Sequence, residues 1–232
     1  IRDMSSDWSS DVCSSDLVIR WPGGCFADDY HWRDGVGPVN ARPQTVNLWW
    51  KQVEPNTFGT DEFLHLCEQI GAAPYICANV GTGSPREARN WVEYCNFPGD
   101  STRAAMRGRN GRKRPYNVKH WGIGNENWGC GGNFTGQTYA EEYIRFATYM
   151  RAISPDIELL ACGANYGDFR SPVQNSWNRE VCTALRRVDL LNHITVHRYF
   201  SRGDARVFSE AEYYTLFADA LAFVGCFQGF VE

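Results

Sequence analysis

The feature that most constrains this chain is an alternation in which short apolar runs, closed by glycine or proline, take turns with longer amphipathic stretches. Residues 18–21 read as a strand ended by Pro22-Gly23-Gly24, and residues 73–80 as a strand ended by Gly81-Thr82-Gly83. Residues 119–125, 158–164 and 190–199 supply three more. Between them, residues 61–70 carry Phe63, Leu64, Cys67 and Ile70 at helical spacing and stop at Gly71. Ser84-Pro85 opens a helix through Tyr94, and residues 138–153, 176–187 and 209–223 complete the helical set. Residues 225–232 are not expected to continue the last helix. Strands joined by crossovers of this length form a parallel sheet with right-handed connections.

An open doubly wound sheet and a closed (β/α)8 barrel both fit that pattern, and their sites separate them. A doubly wound nucleotide binder needs a glycine-rich phosphate loop, yet neither G-x-G-x-x-G nor G-K-[ST] occurs. Gly122-Ile123-Gly124-Asn125-Glu126-Asn127 lacks the third glycine and puts a carboxylate where phosphate would sit. Polar residues gather instead at the strand ends: Arg20, Asn79, Asn125, Glu126, Asn165, His197 and Tyr199. That rim is where (β/α)8 barrels keep their active sites. The fold class is read as α/β, a partial (β/α)8 TIM barrel, because five units cannot close a ring of eight.

Composition removes several alternatives. A net charge of −4 offers no basic surface for nucleic acid. The basic run at residues 103–114, broken by glycines and Asn110, reads as a solvated loop. No apolar stretch approaches the roughly 20 residues that span a bilayer, so no membrane partner is expected. Nine cysteines without a C-x-x-C pair argue against a zinc ribbon or dithiol redox site. Cys67, Cys77, Cys95, Cys162 and Cys182 sit in apolar segments, which fits a reducing, cytoplasmic compartment; no signal peptide is visible. Residues 1–17 are a near-repeat of Ser-Ser-Asp without periodicity; they read as an adapter-derived or non-native segment, with a native Ser-rich linker as the alternative. Residues 18–232 are the credible domain.

Chemistry concentrates in Trp121-Gly122-Ile123-Gly124-Asn125-Glu126-Asn127-Trp128. Strand alternation puts Glu126 on the face of Gly122 and Gly124, whose missing side chains are expected to leave room for a ligand. A carboxyl among tryptophans should have a raised pKa and deliver a proton to a leaving oxygen. The bland counterpart is a structural glutamate paired with Arg20. His193 and His197 lack a third ligand at metal spacing, so no metal is expected. His197 alone also reads as a hydrogen-bonded core residue, and Trp49 and Trp50 as core packing.

Five segments carry a family resemblance. Arg20-Trp21-Pro22-Gly23-Gly24-Cys25-Phe26-Ala27-Asp28 and Tyr30-His31-Trp32-Arg33-Asp34-Gly35-Val36-Gly37-Pro38 lead it. Glu54-Pro55-Asn56-Thr57-Phe58-Gly59-Thr60-Asp61-Glu62-Phe63, Asn79-Val80-Gly81-Thr82-Gly83 and Gly124-Asn125-Glu126-Asn127-Trp128-Gly129-Cys130-Gly131-Gly132 follow in order. Together they resemble the α-L-arabinofuranosidases of glycoside hydrolase family 51. Gly-Asn-Glu alone marks a broad clan of retaining glycosidases, whereas Arg-Trp-Pro-Gly-Gly-Cys-Phe is far narrower.

The resemblance implies a (β/α)8 domain, of which about strands 2 to 6 are present, followed by a β-sandwich. It implies removal of terminal α-L-arabinofuranosyl units from hemicellulose or pectin oligosaccharides with retention, no cofactor, and a homo-oligomer when intact. On this chain it makes Glu126 the acid/base, Asn125 the neighbour that binds the sugar, and Arg20 the arginine that orients the nucleophile. His197 and Tyr199 match a His-x-Tyr pair whose tyrosine touches the nucleophile, and Trp50 lines the sugar site. Cys25 stands where some members carry Asn, altering one sugar contact. Cys25 and Cys130 each follow a rim strand closely and are expected to pair as a disulfide. The nucleophilic glutamate belongs on the seventh strand and is read as absent, with Glu232 a poor candidate. The chain alone is therefore expected to be inactive and to expose apolar edges. Another clan glycosidase (a β-xylosidase or endoglucanase) and a non-catalytic carbohydrate-binding barrel are the alternatives.

Overall fold

The computed structural model describes residues 17–165, 172–201, 203–204 and 206–228; nearly all of the serine-rich start and Glu232 lie outside them. The strands are β1 (Val18–Trp21), β2 (Thr45–Asn47), β3 (Gln52–Glu54), β4 (Ala73–Ala78), β5 (His120–Ile123), β6 (Glu158–Ala161) and β7 (His193–Ile194). The helices are α1 (Thr60–Ile70), α2 (Pro85–Asn96), α3 (Thr102–Arg109), α4 (Gly136–Ile153), α5 (Pro172–Leu185) and α6 (Glu210–Gln228). Five strands form one parallel sheet in the order β1-β4-β5-β6-β7, while β2 and β3 make a separate antiparallel hairpin. Sequential parallel neighbours joined by helices are the wall of a (β/α)8 barrel, here a partial one.

Register sorts the wall into two faces, because paired residues point the same way. Trp21, Ile76, Trp121 and Leu159 share one row, and Ala78, Ile123, Ala161 and Ile194 another. These rows meet the helices. Trp21 stacks on Phe63 of α1 at 5.4 Å, and Trp121 meets Trp91 of α2 edge-on at 5.9 Å. The opposite rows hold Arg20, Tyr75, His120 and Glu158, then Cys77, Gly122, Leu160 and His193, on the concave face.

The helices start where the local chemistry allows. The Ser84 hydroxyl accepts the Glu87 N–H, Pro85 sits in the first turn, and Ala88, Trp91, Val92 and Cys95 are then buried on one side of α2. Thr135 caps α4 in the same way, and Tyr139, Tyr143, Phe146, Ala147 and Met150 form its buried stripe. Replacing Trp91 with alanine is expected to cost about 3–5 kcal/mol.

Three expectations are corrected here. The basic run is a loop only in part, since residues 102–109 form α3 and 110–114 alone lie outside it. Arg107, 1% exposed, donates to the carbonyls of Tyr94 and Phe97, acceptors that the end of α2 leaves open, and to that of Lys113 beyond α3. The last helix runs on to Gln228. The fifth sheet strand shrinks to two residues plus an isolated bridge between Asn165 and His197, so its alternation does not extend to Tyr199. The β2–β3 hairpin was not foreseen. Cys67, Cys77, Cys95 and Cys162 are buried, whereas Cys182 is exposed. Among the described residues, no helix is long and apolar enough to cross a membrane.

Candidate active site

β5 stops at Ile123, and the chain then turns sharply. Gly124 takes φ +81°, and a Cβ there would lie 2.0 Å from the Asn127 Oδ1. A Cβ on Gly122 would lie 2.6 Å from the Tyr75 hydroxyl. The two glycines therefore admit Asn127 and Tyr75, not a ligand, which corrects the expectation. Glu126 is no longer in the strand. It adopts φ +41°, a backbone region that costs a non-glycine residue energy and persists only where its surroundings enforce it.

The surroundings are specific. The Glu126 carbonyl accepts the N–H groups of Gly129 and Gly131. Trp128 donates its indole N–H to the Gly163 carbonyl at 2.9 Å, tying the turn to the end of β6. Beneath the turn lies Asp28, 3% exposed, from the short 3-10 helix that follows β1. Its Oδ1 accepts the Val80 N–H at 2.9 Å and its Oδ2 the Asn125 N–H at 2.8 Å. Three strand-end loops thus converge on one carboxyl. Burial pushes its pKa from 3.8 up to about 7, against the pull of those hydrogen bonds and one from Asn127. The sequence signals this role only through an acid in the loop that follows a rim strand.

Glu126, 6% exposed, receives two side-chain hydrogen bonds on Oε1: Tyr199 Oη at 2.6 Å and His197 Nδ1 at 2.7 Å. Burial raises its pKa, but those bonds and the charges of His197 and Arg20 outweigh it, leaving the pKa below the ordinary value. The expected raised pKa is therefore corrected. Trp121 faces the helices and Trp128 bonds away to Gly163, so neither dries the carboxyl. Tyr199, 66% exposed, has its own pKa raised, chiefly by the bond to Glu126. Here it touches the expected acid rather than a nucleophile.

The remaining predicted residues divide. Arg20 donates from NH1 to Asn125 Oδ1 at 2.8 Å rather than pairing with Glu126 directly. Asn125 is 1% exposed, and its Nδ2 is buried without a hydrogen-bond partner. Trp50, 53% exposed, is not core packing; it stands at the end of the hairpin with its ring close over Gly24, beside Cys25. Cys25 and Cys130 are joined as a disulfide between the loops after β1 and β5. Cys130 Sγ lies 3.7 Å from Glu126 Oε2. The two sulfurs and the Glu126 carboxylate form a cluster of potential metal ligands, all within 4.8 Å of one another, although a disulfide offers no thiolate.

Known proteins resemble this chain over most of its length. A family model described as an alpha-L-arabinofuranosidase 1 domain matches residues 15–210. An intracellular exo-alpha-L-arabinofuranosidase of Bacteroides ovatus is 42% identical over 203 residues, covering 85% of this chain and 38% of that protein. The GH51 arabinofuranosidase structure from Xanthomonas axonopodis pv. citri superposes with a TM-score of 0.78 at 36% identity, over 89% of this chain and 42% of that one. The Thermotoga maritima alpha-L-arabinofuranosidase, solved as an arabinose complex, gives 0.73 at 41% identity, over 81% and 37%. The chain thus spans about two fifths of the length of these relatives.

Proposed function

Because this chain belongs to the α-L-arabinofuranosidases of glycoside hydrolase family 51, we propose that it carries the acid-donating half of a retaining arabinofuranosidase site. Glu126 is the acid/base. It protonates the departing glycosidic oxygen and then, as base, activates water on a covalent arabinosyl-enzyme. The observation that carries this reading is convergence: three strand ends meet at one turn, where Arg20 bonds Asn125 while His197 and Tyr199 bond the adjacent Glu126. Arg20 holds Asn125 next to the acid, and the buried Asn125 Nδ2, without a partner among the described residues, is the donor this reading assigns to the sugar.

The attacking carboxylate comes from the protein beyond these residues. Asp28 does not serve, since both its oxygens already hold backbone donors. A retaining pair stands about 5–5.5 Å apart, and the second negative charge raises the pKa of the first. That supplies the upward shift which Glu126 lacks beside His197 and Tyr199 alone. The same second carboxylate competes for the Tyr199 hydroxyl.

The substrate class is terminal α-L-arabinofuranosyl units on hemicellulose or pectin oligosaccharides, the compartment is cytoplasmic, and the intact protein is a homo-oligomer. The arabinofuranosyl unit rests on the relatives' names, its hemicellulose or pectin setting on the family resemblance, and the compartment on the intracellular Bacteroides relative. The homo-oligomer rests on the family resemblance. The test is hydrolysis of an aryl α-L-arabinofuranoside by the full-length enzyme and its Glu126→Gln variant. A fall in kcat of about 10²–10⁴-fold on a poor leaving group is expected. With an activated aryl leaving group, whose departure needs no proton, azide should restore turnover by replacing the water that needs the base. Unchanged hydrolysis would remove Glu126 from the mechanism.

A further inference from the structure

We propose that reduction of the Cys25–Cys130 disulfide creates a zinc site from the two cysteine sulfurs and Glu126, taking the catalytic carboxylate out of service. The site itself rests on geometry alone; only its inhibitory consequence rests on the acid/base reading above. The three side chains already meet, with ligand atoms within 4.8 Å of one another. Tetrahedral zinc with bonds of about 2.3 Å to sulfur and 2.0 Å to oxygen places neighbouring S and O ligands about 3.5 Å apart, and two sulfurs about 3.8 Å apart. The Cys130 Sγ to Glu126 Oε2 distance of 3.7 Å fits the first of these edges without rearrangement.

The sulfurs must separate while Cys25 Sγ stays within reach of the carboxylate. The two Cα atoms stand 5.5 Å apart, so rotation of the side chains supplies most of that opening. The outer shell is in place too. His197 and Tyr199 both bond Oε1, which leaves Oε2 for the metal while fixing the carboxylate's orientation. A fourth position stays open to water, as in three-ligand zinc sites.

The chemistry balances with a dithiol as reductant. It passes two electrons and two protons to the disulfide, the S–S bond breaks, Cys25 and Cys130 become thiols, and the dithiol leaves as its own disulfide. Zinc then binds the two sulfurs and the carboxylate and releases the two thiol protons to solvent. With Oε2 bound to zinc, Glu126 cannot hold the proton that the leaving oxygen requires.

The experiment uses the full-length enzyme, oxidised or reduced by a dithiol and desalted without air. Zinc chloride is titrated against a chromophoric chelator, cobalt(II) serves as spectroscopic probe, and hydrolysis is followed in parallel. One tight equivalent of zinc should appear only after reduction, with hydrolysis falling at least tenfold and returning on chelation and reoxidation. Cobalt should show a thiolate charge-transfer band that the Cys25→Ser/Cys130→Ser double variant lacks. Glu126→Gln should bind zinc at least tenfold more weakly. The proposal is overturned by equal zinc binding in oxidised enzyme, by full binding in the double variant, or by reduced wild type without the cobalt band. The last outcome depends on no variant folding. Tight reduced-state binding with undiminished hydrolysis keeps the metal site and counts instead against Glu126 as the acid.

Discussion

Two carboxyl groups a few residues apart in space, Asp28 below the turn and Glu126 on it, are held in opposite ways. Asp28 is fed by backbone N–H groups of Val80 and Asn125 in a dry floor, and burial prevails, pushing its pKa up to about 7. Glu126 is fed by the side chains of His197 and Tyr199; burial opposes them but loses, and its pKa falls. Environment, not residue type, sets which acid holds a proton. The floor is architectural because its donors are main chain and cannot leave. The mouth is adjustable because its donors are side chains on a short, lightly paired segment.

The contrast can be broken most forcefully from below. Asp28→Ala orphans two buried backbone donors and should cost about 2–5 kcal/mol, read as a lower denaturation midpoint of the full-length protein. A loss under 1 kcal/mol would mean that the floor is not structural. Asp28→Asn, which keeps one acceptor, should lose less.

The pH response sharpens the comparison next. Between pH 4 and 7 folded Asp28 keeps a proton that the unfolded chain has released, so its contribution falls as pH rises and is flat above 7. The sign reverses for Glu126, whose contribution is complete above its ordinary 4.5 and is lost as pH drops through the lowered folded value. Denaturation midpoints from pH 4 to 8 for wild type against Asp28→Asn should diverge with the first slope. In this 232-residue chain, which lacks the second carboxylate, wild type against Glu126→Gln followed from pH 5 downward should show the second. Parallel curves for either pair would contradict the assigned direction.

The smallest effect is expected from Tyr199→Phe. Losing one hydrogen bond to a charged acceptor should weaken the hold on the ionised form by about 1–2 kcal/mol. The Glu126 limb of the pH–rate profile would then move upward by about one unit. An unmoved limb would show that the hydroxyl does not touch the acid in the working enzyme.

The architecture was legible where each element announced itself locally. Ser84-Pro85 at the start of α2, Gly71 after α1 and the apolar stripe of α4 are signals contained within a few turns. The hairpin was missed because its strands are three residues each and Trp49 and Trp50 at its turn suggested burial. α3 was missed because a basic run lacks an apolar period, and Arg107 is buried by carbonyl partners that sequence does not reveal. The site residues were nameable, but their electrostatics were not. Adjacent tryptophans argued for a dry Glu126, whereas its decisive partners lie 71 and 73 residues downstream.

Those separations also dictate a sequence of events as the polypeptide leaves the ribosome. Asp28 meets Val80 and then Asn125 while the N-terminal half emerges, so the platform under the turn assembles early. Glu126 must wait until residue 199 has appeared and the stretch after β6 has docked, because distant pairings close last. Until then the nascent chain carries an unrestrained carboxylate, whose partners reach it only after the platform beneath is complete.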